Sequence, residues 1–230
     1  RHKADSGKKY SLYSNLLRDK IDQYHVETRQ IYNMDQKGFM LGVVGRSKRI
    51  FSKALYEDRK SRSTIQNGSR EWVTLIACVC ADRSHLDPCL VYQSYSGSIQ
   101  DSWLQGFDPD VHWAYISLSP SSWTNNEIGL AWLKQVFDRS TKAKARSSYQ
   151  LLILDGHGSH LTIEFIDYCD QNKILLAVYP PHSTHTLQPL DVALFKPLSI
   201  AYSNEASSFI ARGQGLVSMS KRDFFPLFYR

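Results

Sequence analysis

The spacing of apolar positions changes several times along this chain, and each change predicts an element. Residues 1 to about 29 are polar, with Leu12, Leu16, Leu17 and Ile21 at weak helical spacing, and read as a leading helix or linker. At Ile31 the text IYNMDQKGFMLG offers a short strand, a glycine-containing turn at Lys37-Gly38 and a returning apolar stretch, which predicts a hairpin with Asp35 near its bend. The run WVTLIACVCA from Trp72 to Ala81 is continuously apolar and β-branched, as in a central strand, and shorter strands are expected at 88–92 and 113–118 within an otherwise irregular stretch. Thr124-Asn125-Asn126-Glu127 fits a capping box ahead of Ile128, Trp132, Leu133, Val136 and Phe137, so a helix is predicted over 125–139, closed by the basic text KAKAR. Two buried strands, 150–154 and 174–178, flank a helix whose apolar face is Leu161, Phe165, Ile166 and Cys169 and whose cap is expected at Ser159. Pro180-Pro181 close the second strand. Pro189 suits the first turn of a further helix carrying Val192, Leu194, Phe195 and Leu198, which Pro197 should kink or end. The alternation after Leu151 predicts an α/β fold with a mixed sheet, its parallel strands joined by crossover helices.

Composition narrows the class. With 230 residues, 42% hydrophobic and 22% charged, the chain can bury a core and lies outside the regime of disorder. A mean hydropathy of −0.37 and the lack of an uncharged apolar run of ~18 residues argue against a membrane protein, and no membrane is expected among its partners. The opening RHKADSGKKY has no apolar segment of signal-peptide type and no initiating Met, so the expectation is a fragment of a longer protein. Cys78, Cys80, Cys89 and Cys169 contain no C-x-x-C pair and are expected to be reduced and buried, in an intracellular protein. The net charge is +6, and the stretch 46–70 alone sets eight Lys and Arg against Glu57 and Asp58. Arg46, Lys48, Arg49, Lys53 and Arg62 are therefore candidate contacts to DNA phosphates, against the alternative of a solvated loop.

Three aspartates occupy telling places: Asp35 in the first strand, Asp155 at the end of a central strand, and Asp191 in the first turn of a helix. Carboxyl ends of parallel strands are where ligands gather in such sheets. The 35 residues between Asp155 and Asp191 suffice for a helix, a strand and a loop that return Asp191 beside Asp155. Three converging carboxylates repel one another by about 4 kcal/mol per pair at ~4 Å and an effective dielectric near 20, and divalent Mg²⁺ or Mn²⁺, which favours hard oxygen ligands, would compensate them. The alternative is that all three are surface, capping or turn residues. The pairs His157/His160 and His182/His185 repeat the spacing H-x-x-H, but no acidic or thiol residue completes a familiar zinc pattern; they read as groups that hold loops or meet phosphate, with His157 nearest to Asp155. The text GHGSH lacks the G-x-S-x-G arrangement of a serine hydrolase.

Five stretches, NMDQKGF at 33–39, REWVTLIACVCAD at 70–82, SSWTNNEIGLAWL at 121–133, LLILDGHGSH at 151–160 and PPHSTHTLQPLDVALFKPL at 180–198, resemble in order the pogo-type DDE superfamily endonucleases, transposases of the Tc1/mariner group and their fungal relatives. The resemblance runs from about residue 25 onward. It implies an RNase H-like catalytic domain at 30–212, with 213–230 as a C-terminal extension, and carries the metal-binding and catalytic triad onto Asp35, Asp155 and Asp191. It further implies Mg²⁺ or Mn²⁺ as cofactor, DNA and further copies of the chain as partners, a nuclear location, and hydrolysis of phosphodiesters at transposon ends followed by strand transfer. Two departures stand out. Gln36 follows Asp35 where many relatives have Glu, and the helix-turn-helix domains that precede such catalytic cores have no counterpart in the roughly 30 residues before Ile31. The rival expectation is thus a domesticated or decayed relative that binds DNA without cutting it.

Overall fold

In the computed structural model, which describes residues 7–41, 71–156, 161–181, 183–213 and 218–229, strand β1 (Ile31–Met40) is the organising element. It pairs antiparallel with β2 (Trp72–Cys80) along nearly its whole length and parallel with β5 (Gln150–Leu154) over its first three residues. With β3 (Cys89–Gln93), β4 (Tyr115–Ser119) and β6 (Ile174–Val178) these form one six-stranded sheet in the order β4-β3-β2-β1-β5-β6. The β5 and β6 strands are parallel, joined by helix α4 (Ile163–Gln171), as the crossover reading expected.

The expected hairpin at Lys37-Gly38 is not formed: β1 runs straight through it. The glycine serves a close approach instead of a turn. A Cβ at Gly38 would lie 3.1 Å from Cε3 of the Trp72 ring, so only glycine leaves the indole its place on that face of the sheet.

Side chains alternate across the sheet and sort into two layers. On one face Tyr32, Met34, Ile76, Cys78, Leu152, Leu154 and Ile174 pack beneath α2 (Asn126–Trp132), a π-helical stretch Leu133–Asp138, α3 (Arg139–Ala145) and α4. The helix expected to end at 139 continues through the KAKAR text to Ala145 and is stopped by Arg146 in the left-handed conformation (φ 50°). Its cap is Asn125, whose side chain accepts from the Ile128 N–H, rather than Thr124. Thr162 caps α4; Ser159 lies outside the described residues.

The opposite face carries two separate clusters. Phe39, Leu41, Val73, Leu75, Leu90 and Tyr92 pack against α6 (Phe195–Arg212) and α7 (Lys221–Phe228). Leu151, Ile153 and Tyr179 pack against α1 (Gly7–Tyr24) through Tyr13, Leu17, Ile21 and Tyr24. Each fully buried large apolar side chain contributes roughly 1.5–3 kcal/mol. Phe224, Phe225 and Leu227 of α7, within the expected C-terminal extension, belong to the first of these clusters. All four cysteines are free and buried.

Between the two clusters runs the segment that links β6 to α6. It comprises a short helix α5 (Thr184–Leu187), Gln188, Pro189 and a π-helical turn Leu190–Leu194 that leads directly into α6. Leu187 touches the α1 cluster and Leu190 is part of the α6 cluster. Pro197 does not end this helix, which continues to Arg212. Pro197 is the third residue of α6 and so lies in its first turn, where proline is tolerated because the N–H it lacks has no partner within the helix.

Candidate active site

Asp35 projects from β1 into the gap between the two clusters. It shares a side of the strand with Asn33 and Phe39, whereas Tyr32 and Met34 face the α2–α4 layer. The last β1–β5 partners are Asn33 and Ile153, so continuing that register two residues sets Asp155, just past the end of β5, beside Asp35. Gly156 follows, where a Cβ would meet Val178 of β6 at 3.3 Å. Asp191 comes from the π-helical turn that crosses the same gap. Asp35 is buried at 7% exposure, Asp155 is half-buried and Asp191 is exposed.

The electrostatics of Asp35 follow from that position. Burial pushes its carboxyl up to about 7, and the neighbouring carboxylates of Asp191 and Asp155 push in the same direction; the Gln36 N–H, which donates to Oδ1 at 2.7 Å, and the Gln188 amide oppose them. Oδ2 is buried and accepts no hydrogen bond. Both charged groups that act on Asp35 are thus acidic, and among the described residues none of the three aspartates joins an ion pair with Lys or Arg.

This donor set fits a hard divalent cation. The ligands on offer are carboxylate oxygens, the chemistry Mg²⁺ and Mn²⁺ prefer, and Asp35 carries an orphaned buried oxygen. Among the described residues no three His, Cys, Asp or Glu side chains are drawn together into a ready metal cluster. Asp155 and Asp191 are near enough to act on the Asp35 carboxyl without closing into such a cluster.

Three residues not expected from the sequence hold this arrangement. Asn33 donates through Nδ2 to the Ile153 carbonyl at 3.2 Å and to the Tyr179 hydroxyl at 3.3 Å, tying β1 to β5 and β6 just behind the aspartates. Thr124 donates to Gln36 Oε1 at 2.6 Å and so anchors the loop before α2 one residue from Asp35. Gln188 is fully buried beside Asp35. The available signal was a polar residue where the pattern calls for an apolar one: Asn33 between Tyr32 and Met34, and Gln188 between Leu187 and Pro189. The expected phosphate contacts Arg46, Lys48, Arg49, Lys53 and Arg62, and His157 with His160 and His182, lie outside the described residues.

Residues 69–222 match the family described as DDE superfamily endonuclease. The chain belongs to that family. Among curated relatives, this chain is 35% identical over 216 residues to a Cochliobolus lunatus protein named MFS-type transporter clz9, a match covering 93% of this chain and 22% of that protein. It is 27% identical over 169 residues to the Homo sapiens pogo transposable element with ZNF domain, covering 72% of this chain and 11% of that one. The chain therefore spans a minor part of the length of either relative. Among the described residues no helix is long and apolar enough to cross a membrane. Its fold is that of the Mos1 transposase: a paired-end complex with the left transposon end aligns at TM-score 0.51 and 14% identity over 95% of this chain and 57% of that one. The Mos1 catalytic domain solved with Raltegravir and Mn aligns at TM-score 0.51 and 10% identity over 94% of this chain and 84% of that one. The mixed sheet flanked by helices is accordingly RNase H-like, as the motif order implied.

Proposed function

We propose that this chain is the catalytic domain of a pogo-type DNA transposase, which hydrolyses phosphodiesters at transposon ends and joins the freed 3′ hydroxyl to target DNA. The observation that supports it best is a buried Asp35 with an unsatisfied oxygen, set on an RNase H-like sheet within electrostatic reach of Asp155 and Asp191. Asp35, Asp155 and Asp191 would hold Mg²⁺ or Mn²⁺. Bound there, the ions would supply charge neutralisation at the phosphoryl group and activation of the attacking oxygen. The residues themselves supply position. Asp35 is fixed by the Gln36 N–H, Asp155 by the end of β5, and Asp191 by a helical turn seated on two hydrophobic clusters.

In this reading the catalytic unit begins near residue 30 and runs to 212, with α7 completing its core. It works on DNA in the nucleus and as a dimer or higher oligomer with the two transposon ends, and the 46–70 segment contributes phosphate contacts. The test is divalent-metal-dependent nicking of a duplex carrying the element's terminal repeat, with Asp155→Ala as control. Cleavage by the parent and none by the variant is expected. Equal activity in both would overturn the triad, and DNA binding without cleavage by the parent would favour the decayed relative.

A further inference from the structure

Gln188 is the most poorly satisfied side chain in the described structure. It is 0% exposed, and neither Nε2 nor Oε1 makes a hydrogen bond. A buried amide left without partners is destabilising, and the penalty holds whichever way the amide is turned, because both of its polar atoms are orphaned. The surrounding chain holds it there. The Pro180–Leu187 stretch is closed on itself by Ser183, whose hydroxyl donates to the Pro180 carbonyl at 2.7 Å and whose carbonyl accepts from Thr186 and Leu187. Leu187 and Leu190 then anchor either side of Gln188 in separate hydrophobic clusters, and the Gln188 carbonyl accepts from the Val192 N–H at 3.0 Å. The amide cannot leave for solvent without pulling one of these anchors.

What it faces is also unsatisfied. The Gln188 amide lies near enough to the Asp35 carboxyl to favour its ionised form, yet it closes no hydrogen bond, and Asp35 Oδ2 is itself buried without a partner. Two adjacent buried groups, one offering N–H and carbonyl oxygen and the other an empty carboxylate oxygen, are held where Asp155 and Asp191 also act on Asp35.

We propose that Gln188 is a positioning residue of the metal site, which donates to Asp35 when the site is charged and offers its carbonyl oxygen to a water in the ion's hydration shell. This rests on the metal reading above. The residue exists for the loaded state and is a burden to the metal-free fold. Outer partners of metal ligands commonly change affinity by 10–100-fold when removed, and Gln188 should behave so.

The experiment compares the parent chain with Gln188→Met, which keeps length and removes both polar atoms, and with Gln188→Glu, which keeps an acceptor. Mn²⁺ binding is followed by calorimetry or by the spin-resonance signal of free Mn²⁺, and thermal unfolding is recorded without metal. Gln188→Met is expected to weaken Mn²⁺ binding 10–100-fold while its metal-free melting temperature stays level or rises by a few degrees, and Gln188→Glu, which cannot donate to Asp35, to recover at most part of the affinity. A structural role would give the reverse, a lower metal-free melting temperature in Gln188→Met with Mn²⁺ affinity unchanged, and would overturn the proposal. Should the parent bind no Mn²⁺, or bind it equally well as Asp155→Ala, the metal reading itself fails and takes this inference with it. If the parent binds Mn²⁺, Asp155→Ala does not, and Gln188→Met matches the parent, the role of Gln188 alone is refuted.

Discussion

Asn33 reaches from β1 to the Ile153 carbonyl of β5 at 3.2 Å, each residue standing two places before an aspartate of the site. The hydrogen bond fixes the neighbouring strands to each other at the point from which Asp35 and Asp155 project. Asn33→Ala removes it and also strips the Tyr179 hydroxyl of a donor. The expected loss is about 1–3 kcal/mol in urea unfolding, with metal-dependent cleavage falling further than stability because the two carboxylates lose their common reference. A variant with parental unfolding and cleavage would show that backbone pairing alone sets their spacing.

The metal-free protein should lose stability as pH rises. The Asp35 carboxyl has an ordinary value of 3.8 and a folded value of about 7, so between these the folded state binds the proton that the unfolded state has released. Its contribution is fully present below about pH 4 and is lost as pH climbs through 7; three units correspond to on the order of 4 kcal/mol as an upper figure. Asp35→Asn should flatten this part of the stability curve, and Asp191→Asn should shift it to lower pH more than Asp155→Asn does, since Asp191 acts more strongly on Asp35. Urea titrations in chelator across pH 4 to 8 provide the check.

Gln36→Glu keeps an acceptor for the Thr124 hydroxyl but sets a new charge beside Asp35. The expected outcome is a further rise in the Asp35 carboxyl and a metal-free protein that is less stable at pH 8 than the parent, with the difference removed by Mn²⁺. Carboxyl titration by NMR reads the first, and thermal unfolding with and without metal the second.

Gly38→Ala places a methyl 3.1 Å from the Trp72 ring, which itself packs on Trp123 with centroids 6.1 Å apart. Overpacking of this kind costs roughly 1–3 kcal/mol, and because the yielding group is an indole it should also shift tryptophan emission. An unchanged spectrum and unchanged stability would mean the sheet bends away at little cost.

DNA binding by this chain should be sequence-tolerant and salt-sensitive, since the basic stretch 46–70 offers charge rather than base readout. Each neutralised phosphate adds about −0.9 to the slope of log affinity against log salt. Replacing Arg46, Lys48 and Arg49 with Ala should flatten that slope, as measured by a fluorescence-anisotropy titration of one duplex at several salt concentrations.

The strands at 72–80, 150–154 and 174–178 and the helices around Trp132 and Phe165 were legible in the sequence because their burial is written locally, as unbroken or periodic apolar runs. Asp155 announced itself for the same reason, being the first charge after a buried strand. Gly38 did not, since a glycine in a strand and a glycine in a turn look alike until the Trp72 ring, more than 30 positions away, is known to lie over it. Thr124 likewise looked like a helix cap because its partner Gln36 is 88 residues distant. That Asp35 is the desolvated member of the three, and that Gln188 and Asn33 crowd its side of the sheet, depended on which face each strand turned toward the gap between two hydrophobic clusters. Periodicity records whether a residue is buried, whereas the charge state of a carboxylate depends on what it is buried beside, and only the packed chain sets the buried Asn33, Asp35 and Gln188 within reach of Asp155 and Asp191.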